Sequence, residues 1–207
     1  MHAASTLDPK LATAQAIETH HSLWSTSIRF TLAATLLFGI IYPLAVTAIA
    51  NMLFPHQAAG SLAAKNGQIV GSELLAQGFT SDRYFHPRPS AAGAGYDATA
   101  SGGSNLAQSN TKLVQRVQGD IDKLSRENPA VPVPIDLVTT SGSGLDPDVT
   151  PDAAYFQAPR IAHARGLSEQ QVRQLIADHV TGRQFGILGE PRVNVLALNL
   201  ALDDLGR

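Results

Sequence analysis

The chain has no cysteine, which excludes a disulfide framework, a thiol nucleophile and a cysteine-ligated zinc site. It has no basic excess either: fifteen Lys and Arg stand against seventeen Asp and Glu, a formal net charge of −2. A nucleic-acid partner needs a basic face, so none is expected. Aromatic residues are scarce at 6%, with a single tryptophan. Charge itself is missing over one long interval. Between Arg29 and Lys65 there is no Asp, Glu, Lys or Arg.

The core of that interval is FTLAATLLFGIIYPLAVTAIA, Phe30 to Ala50. As a helix it would be about 31 Å long, the thickness of a bilayer's hydrocarbon core. Ala48-Ile49-Ala50 has the small-x-small form of a signal-peptidase site. The apolar run is longer than a signal segment and continues through Met52, Leu53 and Phe54, so the segment reads as a retained anchor. Lys10 and Arg29 precede it and only Lys65 follows closely. That bias places the N-terminus in the cytoplasm and the C-terminal part outside. The expected organisation is a cytoplasmic tail over 1–27, a transmembrane helix over 28–54, and one extracytoplasmic domain over 55–207.

Within the anchor, Thr31, Thr35, Gly39, Pro43 and Thr47 recur every fourth residue, and Asn51 continues the series. Bilayer helices associate through small residues and hydroxyls, and proline frees a carbonyl that a neighbouring helix can satisfy. This stripe is a candidate face for packing on another membrane protein; threonines and a proline are also ordinary passengers in such helices.

The domain reads as mixed α+β. Asn66-Gly67 predicts a tight hairpin between strands near Ser61–Ala64 and Gln68–Leu75. A long irregular segment, 80–105, precedes a helix expected over Leu106–Glu127, capped by Asn105 or Ser104. VPVPIDLVTT is expected to be extended because Pro129, Pro132 and Pro134 forbid helix. Helices are expected over Asp152–Arg165 and Ser168–Val180, the second opened by a capping box at Ser168–Gln171. VNVLALNLAL, with leucines at 196, 198, 200 and 202, alternates as a strand does.

No catalytic motif assembles. A phosphate-binding loop G-x-x-x-x-G-K-[ST] would need a lysine where Gly102-Gly103 has none before Lys112, and Leu106 breaks a nucleophile elbow G-x-S-x-G. The small, uncharged stretch ASGGSNLAQSN (100–110) shares three residues with the ABC-ATPase signature loop. It reads equally as a glycine-rich turn leading into a capped helix. The loop Asp146–Asp152 has Pro151 and Gln157 where an EF-hand needs glycine and glutamate, so its acids are expected to cap helices or face solvent. The seven histidines form no H-E-x-x-H, and His163 and His179 lie too far apart to share a helix face. No metal site and no catalytic set are expected, and the D-K-T-G phosphorylation loop of P-type pumps is absent.

IVGSELLAQGF, RYFHPRPSA followed by YDA, SGGSNLAQSN, SGSGLDPDVTPDAA, RIAHARG and GEPRVNVLALNLALD occur in that order after one membrane helix. In this the chain, from Phe30 onward, resembles the C subunit of the Kdp-type potassium-transporting ATPase of bacteria. It departs from that pattern at Ala107-Gln108, where Gly-Pro is frequent, and at Asp148, where His is common. The resemblance implies a non-catalytic accessory subunit of an inner-membrane complex that imports potassium at high affinity. Its partners would be a channel-like potassium-translocating subunit and a P-type ATP-hydrolysing subunit, within membrane lipid. The family is described as a catalytic chaperone raising the ATP affinity of the hydrolysing subunit. ATP would be shared with that subunit, this chain having no cofactor of its own. Ser101, Gly102, Gly103, Ser104 and Asn105 would be the natural nucleotide or partner contact. An outside domain could not touch cytoplasmic ATP; it would act through the membrane helices or as a cap conditioning potassium access. A membrane-anchored ligand-binding module and an anchored hydrolase are the readings from other classes.

Overall fold

In a computed structural model, residues 9–205 are described, with side chains from Ser22 onward. The first eight residues of the expected tail and the pair His20-His21 lie outside what is described at that level. The chain divides into two units, 1–59 and 60–207.

The first unit is helical: α1 over Pro9–Leu36, a π-helical turn over Leu37–Ile41, α2 over Tyr42–Leu53 and the single turn α3 over Pro55–Ala58. Ser22–Leu53 is a 32-residue stretch long and apolar enough to cross a membrane. Pro43 accounts for the π turn. It has no N–H to give the Gly39 carbonyl, and the preceding Tyr42 N–H reaches back five residues to Leu37. Gly39 lies inside this turn, and a methyl added there would meet only Thr35 Cγ2 at 3.8 Å. Farther along α2, Asn51 Nδ2 donates to the Thr47 carbonyl at 2.8 Å.

The second unit opens with an antiparallel hairpin, β1 Leu62–Lys65 and β2 Gln68–Ser72. Its turn, Asn66-Gly67, holds φ of +52° and +77°, the left-handed pair that an Asn-Gly hairpin supplies. The next regular element is α4, Thr111–Glu127. It starts later than expected, capped by Asn110, whose side chain accepts from the Lys112 N–H. Asn105 cannot be the cap because its φ is +51°, whereas an N-cap residue is extended. The proline-rich segment that follows turns at Pro129–Ala130 and has no helix besides a 3₁₀ turn at Ile135–Leu137.

The core is built on α5, Pro151–Arg165, and α6, Glu169–Asp178. Ala153, Ala154, Ala158 and Ile161 of α5 are fully buried, as are Val172 and Ile176 of α6. Small alanines on α5 let the two helices approach. Gly166, at φ +68°, ends α5 in the left-handed conformation, and the Ser168–Gln171 capping box starts α6 two residues on. Thr150 caps α5 through its hydroxyl, which accepts from Ala153 N–H at 3.2 Å. The acids of the 146–152 loop therefore do not supply that cap.

A small antiparallel sheet closes the core, in the order β3 (Asp148–Val149), β5 (Arg192–Asn194), β4 (Val180–Thr181). The strand expected over VNVLALNLAL ends at Asn194, and Val195–Leu205 is a helix, α7. Two causes are visible. The neighbour β3 is only two residues long before Pro151 turns into α5, so a longer strand would have no partner. The Asn194 side chain accepts from Ala197 N–H at 3.0 Å and caps a helix. Val195, Leu198, Asn199 and Leu202 then share one buried face, the i, i+3, i+4, i+7 spacing that coexists with the alternating leucines.

Candidate functional site

The segment Asp82–Pro89 has no strand beside it, yet its backbone is bonded almost residue by residue to helix side chains. The Asn199 carboxamide on α7 accepts from Phe85 N–H at 2.8 Å and donates to the Phe85 carbonyl at 3.0 Å. The Gln157 carboxamide on α5 does the same for His86, at 2.8 and 3.1 Å. Both side chains are buried, at 2% and 1% exposure. Each mimics a strand's peptide, exchanging one donor and one acceptor. Arg160 Nη1 donates to the Asp82 and Tyr84 carbonyls and its Nε pairs with Glu127 at 2.7 Å. Arg165 donates to the Arg83 carbonyl and pairs with Asp203, its guanidinium 4.9 Å from the centre of the Tyr84 ring.

Asp203 also receives Lys65 at 2.9 Å and Tyr84 at 3.3 Å. Burial pushes its carboxyl up, but the bonds from Lys65, Arg165 and Tyr84 outweigh burial and hold it below the ordinary carboxylate range. The cluster joins β1, the strapped segment, α5 and α7.

The strap anchors Phe85, fully buried in the core, and fixes the small-residue loops that follow. Ser90 is their hub. Its hydroxyl donates to the Gly144 carbonyl at 2.6 Å and accepts from Ala92 and Tyr96 N–H at 3.1 and 2.8 Å. The Tyr96 hydroxyl returns to the Arg88 carbonyl at 2.9 Å. Ser101–Asn105 lies against Ser141–Gly144, backbone on backbone. Gly102 N–H and the Ser101 hydroxyl both donate to the Ser143 carbonyl, at 2.8 and 3.1 Å. A methyl on Gly144 would stand 2.6 Å from the Gly102 oxygen and 2.7 Å from Ala92 N. Gly103 is nearly as tight, 3.2 Å from the Gly142 oxygen. Contact thus requires glycine at Gly144 and leaves little room at Gly103, while Gly102 and Gly142 face open space. Ser101 and Asn105, at the ends of the pentapeptide, are exposed, whereas Gly102, Gly103 and Ser104 are half-buried.

Asp146 and Asp148 of the 146–152 loop, and Asp136 beside it, are committed to neighbours, whereas Asp152 is exposed. Asp136 is buried and accepts from Thr150 N–H and hydroxyl, at 2.7 and 3.2 Å. Asp146 pairs with Arg88 at 3.1 Å and Asp148 with Arg192 at 3.0 Å. Burial raises the Asp148 carboxyl above its ordinary range despite the opposing Asn194 bond and Arg192 charge. Among the described residues no group of three or more His, Cys, Asp or Glu is arranged to hold a metal ion.

His86 lines a polar cavity of about 170 Å³ with Tyr96, Lys123, Glu127 and Arg160. Burial and the Arg160 charge, helped by Lys123, pull its pKa below the ordinary 6.5; the Ser81 carbonyl and Glu127 oppose this without prevailing. An unfolded His86 therefore takes up a proton at a higher pH than the folded one. Its contribution is fully present above about pH 6.5 and is lost as pH falls toward the folded value. The melting temperature of the complete chain in detergent is expected to drop between pH 7.5 and 5.5, and His86→Phe is expected to flatten that dependence.

These features describe a protein with one helix long and apolar enough to cross a membrane and a domain held by internal polar bonding, without an assembled catalytic set among the described residues. The family model described as "K+-transporting ATPase, c chain" matches residues 24–204. The potassium-transporting ATPase KdpC subunit of Rhodopseudomonas palustris (strain BisB18) is 58% identical over 184 residues, covering 83% of this chain and 92% of that one. The KdpC subunits of Methylobacterium nodulans and Acidobacterium capsulatum are 56% and 55% identical, over 84% and 87% of this chain and 92% and 97% of theirs. The chain belongs to the KdpC family of potassium-transporting ATPase subunits.

Sequence reasoning brought the two small-residue loops to notice but not their mutual contact. It missed Gln157 and Asn199. A lone carboxamide in an otherwise apolar helix stretch, as in LALNLAL, was the available signal.

Proposed function

We propose that this chain is the non-catalytic accessory subunit of an ATP-driven, high-affinity potassium importer of the bacterial inner membrane. Its N-terminus is cytoplasmic and its domain lies outside. It holds a channel-like potassium-translocating subunit and a P-type ATP-hydrolysing subunit together, and raises the ATP affinity of the second by coupling through membrane helices rather than by touching nucleotide.

The observation that carries this reading is the anchor. Thr31, Thr35, Gly39, Pro43 and Thr47 line a helix that changes hydrogen-bond pattern at its middle. Pro43 has no N–H to give the preceding turn, a lack that lipid does not make good, and small residues around it would admit a neighbouring helix. The domain's polar groups support the same reading, since they are spent on its own backbone. Ser101 and Asn105 are the exposed ends of the glycine pair and the natural partner contact there.

Gly39→Leu would fill the approach face with a branched side chain. Retention of the companion subunits after mild detergent extraction is expected to fall severalfold, and the complex's half-saturating ATP concentration to rise. Unchanged retention and unchanged ATP dependence would remove the case for the anchor as the coupling element.

A further inference from the structure

Helix α4 is the least committed helix of the C-terminal unit. None of its 17 residues is fully buried, and of its apolar stripe Leu124 alone packs against the core. Val117 and Ile121 instead border a cleft of about 440 Å³, walled on its other side by Val133, Ile135 and Val138. Polar ties hold the helix. Arg116 Nη1 donates to the Val138 carbonyl at 3.2 Å, and Arg160 Nε pairs with Glu127 at 2.7 Å. Asn128, just past the helix, donates to the Phe156 carbonyl at 2.9 Å. A helix with few buried apolar contacts opens at low cost.

The same helix walls the polar cavity of His86, through Asp120, Lys123 and Glu127. Helix α5 contributes Gln157 and Arg160, and the loop after the strap contributes Tyr96. His86 Nε2 lies 3.0 Å from the Ser81 carbonyl, which makes it the protonated nitrogen of the neutral ring. A second proton goes to Nδ1 and places a full positive charge in the cavity. Neither acid there is free to receive it. Glu127 is held by Arg160, and Asp120 by Arg116 at 3.3 Å. Tyr96 stays neutral, because burial raises its hydroxyl above the ordinary range. Lys123 has no acidic partner among the described residues, and its charge acts on the imidazole together with that of Arg160. An imidazolium therefore meets an unpaired cation on α4 and a guanidinium on α5. Ala158 and Ile161 of α5 are fully buried, so α4 is the part that gives way.

We propose that His86 and α4 form an acid-operated latch: a neutral imidazole lets α4 close on the cavity, and protonation drives α4 off the core while α5 and α6 stay packed. This goes beyond membership of the ATPase and holds on either side of the membrane. The sign follows from the groups named. Burial, Arg160 and Lys123 lower the pKa of His86 in the closed state, against the Ser81 carbonyl and Glu127. With α4 displaced, Lys123 moves away and water enters, so the open state takes up the proton at a higher pH. The closed state is favoured in full above about pH 6.5 and loses ground as pH falls toward its own lower value. The latch makes the face of the domain that carries α4 respond to the acidity around it.

Hydrogen–deuterium exchange of the complete chain in detergent, at about pH 7.5 and about pH 5 and corrected for the intrinsic pH dependence of exchange, tests this. Protection of residues 111–127 is expected to fall severalfold more than that of α5 and α6 at the lower pH. His86→Gln keeps an N–H donor but takes up no proton, and its α4 is expected to stay as protected as at neutral pH. Equal loss across the domain, no loss in α4, or an undiminished loss in His86→Gln would each overturn the latch. Lys123→Met is the second variant, made at an exposed side chain so that folding is not at issue. The His86 titration, followed by NMR, is expected to move to higher pH and the acid loss of α4 protection to shrink. An unmoved titration would contradict the proposal even where His86→Gln failed to fold.

Discussion

Gln157→Leu is expected to destabilise the C-terminal unit by about 3 kcal/mol, because the substitution strands the His86 N–H and carbonyl together. The wild-type carboxamide satisfies both, and its Oε1 also receives Arg160 Nη2 at 2.8 Å. Leucine has a similar volume, so cavity formation does not enter. The loss is that of two hydrogen bonds to the backbone of half-buried His86, made by a side chain that is itself 1% exposed. For a domain of this length the fall in melting temperature is about 10 °C. Asn199→Leu removes the equivalent pair at Phe85 and is expected to cost a similar amount. The two sites serve adjacent residues of one strap, so the double variant should show coupling rather than the sum. Calorimetry of the four proteins tests this. A loss near zero for either single variant would mean that the strap is held elsewhere.

Gly144→Val is the second large effect. The residue holds φ at +67° and its added carbon would strike two backbone atoms, the Gly102 oxygen at 2.6 Å and Ala92 N at 2.7 Å. Backbone cannot swing aside as a side-chain tip does, so the two loops must separate. Left-handed geometry costs a β-branched residue about 1–2 kcal/mol and forced overpacking a further 1–3. The expected loss is about 3–4 kcal/mol, with protease sensitivity appearing between residues 90 and 110. Gly142→Ala is the control: nothing lies within 4 Å of its added carbon, and a change within about 0.5 kcal/mol is expected. Equal effects at the two positions would contradict the packing of the loops.

Much of this architecture was legible in the residues. The charge gap and its length announced the long apolar helix, Asn66-Gly67 the hairpin, and Ser168–Gln171 the start of α6. These are local signals, each carried by a few neighbouring side chains. The alternation of leucines 196–202 misled because a strand exists only with a partner, and β3 is too short to provide one. The cap at Asn110 was displaced from Asn105 by a backbone angle that no composition reveals. The strap was hidden for a related reason: Gln157 and Asn199 serve residues 71 and 114 positions away. At the candidate loop, the residues were legible and their use was not. Glycine and serine repeats suit a phosphate cradle and a backbone-on-backbone contact equally, and only the proximity of Ser141–Gly144 reveals the second.

The side of the membrane on which the domain stands decides how it could act on ATP use. A domain outside the cytoplasm would influence ATP use only through the membrane, which would give the π turn and small-residue face of the N-terminal helix a role beyond tethering. The chain has no cysteine, so a single one can report its surroundings. Ser109 is exposed, next to the residue that caps α4. Ser109→Cys, expressed with the complete complex, would be treated with a membrane-impermeant maleimide in intact and in lysed cells. The account predicts full labelling in intact cells. Labelling only after lysis would put the domain in the cytoplasm and contradict it.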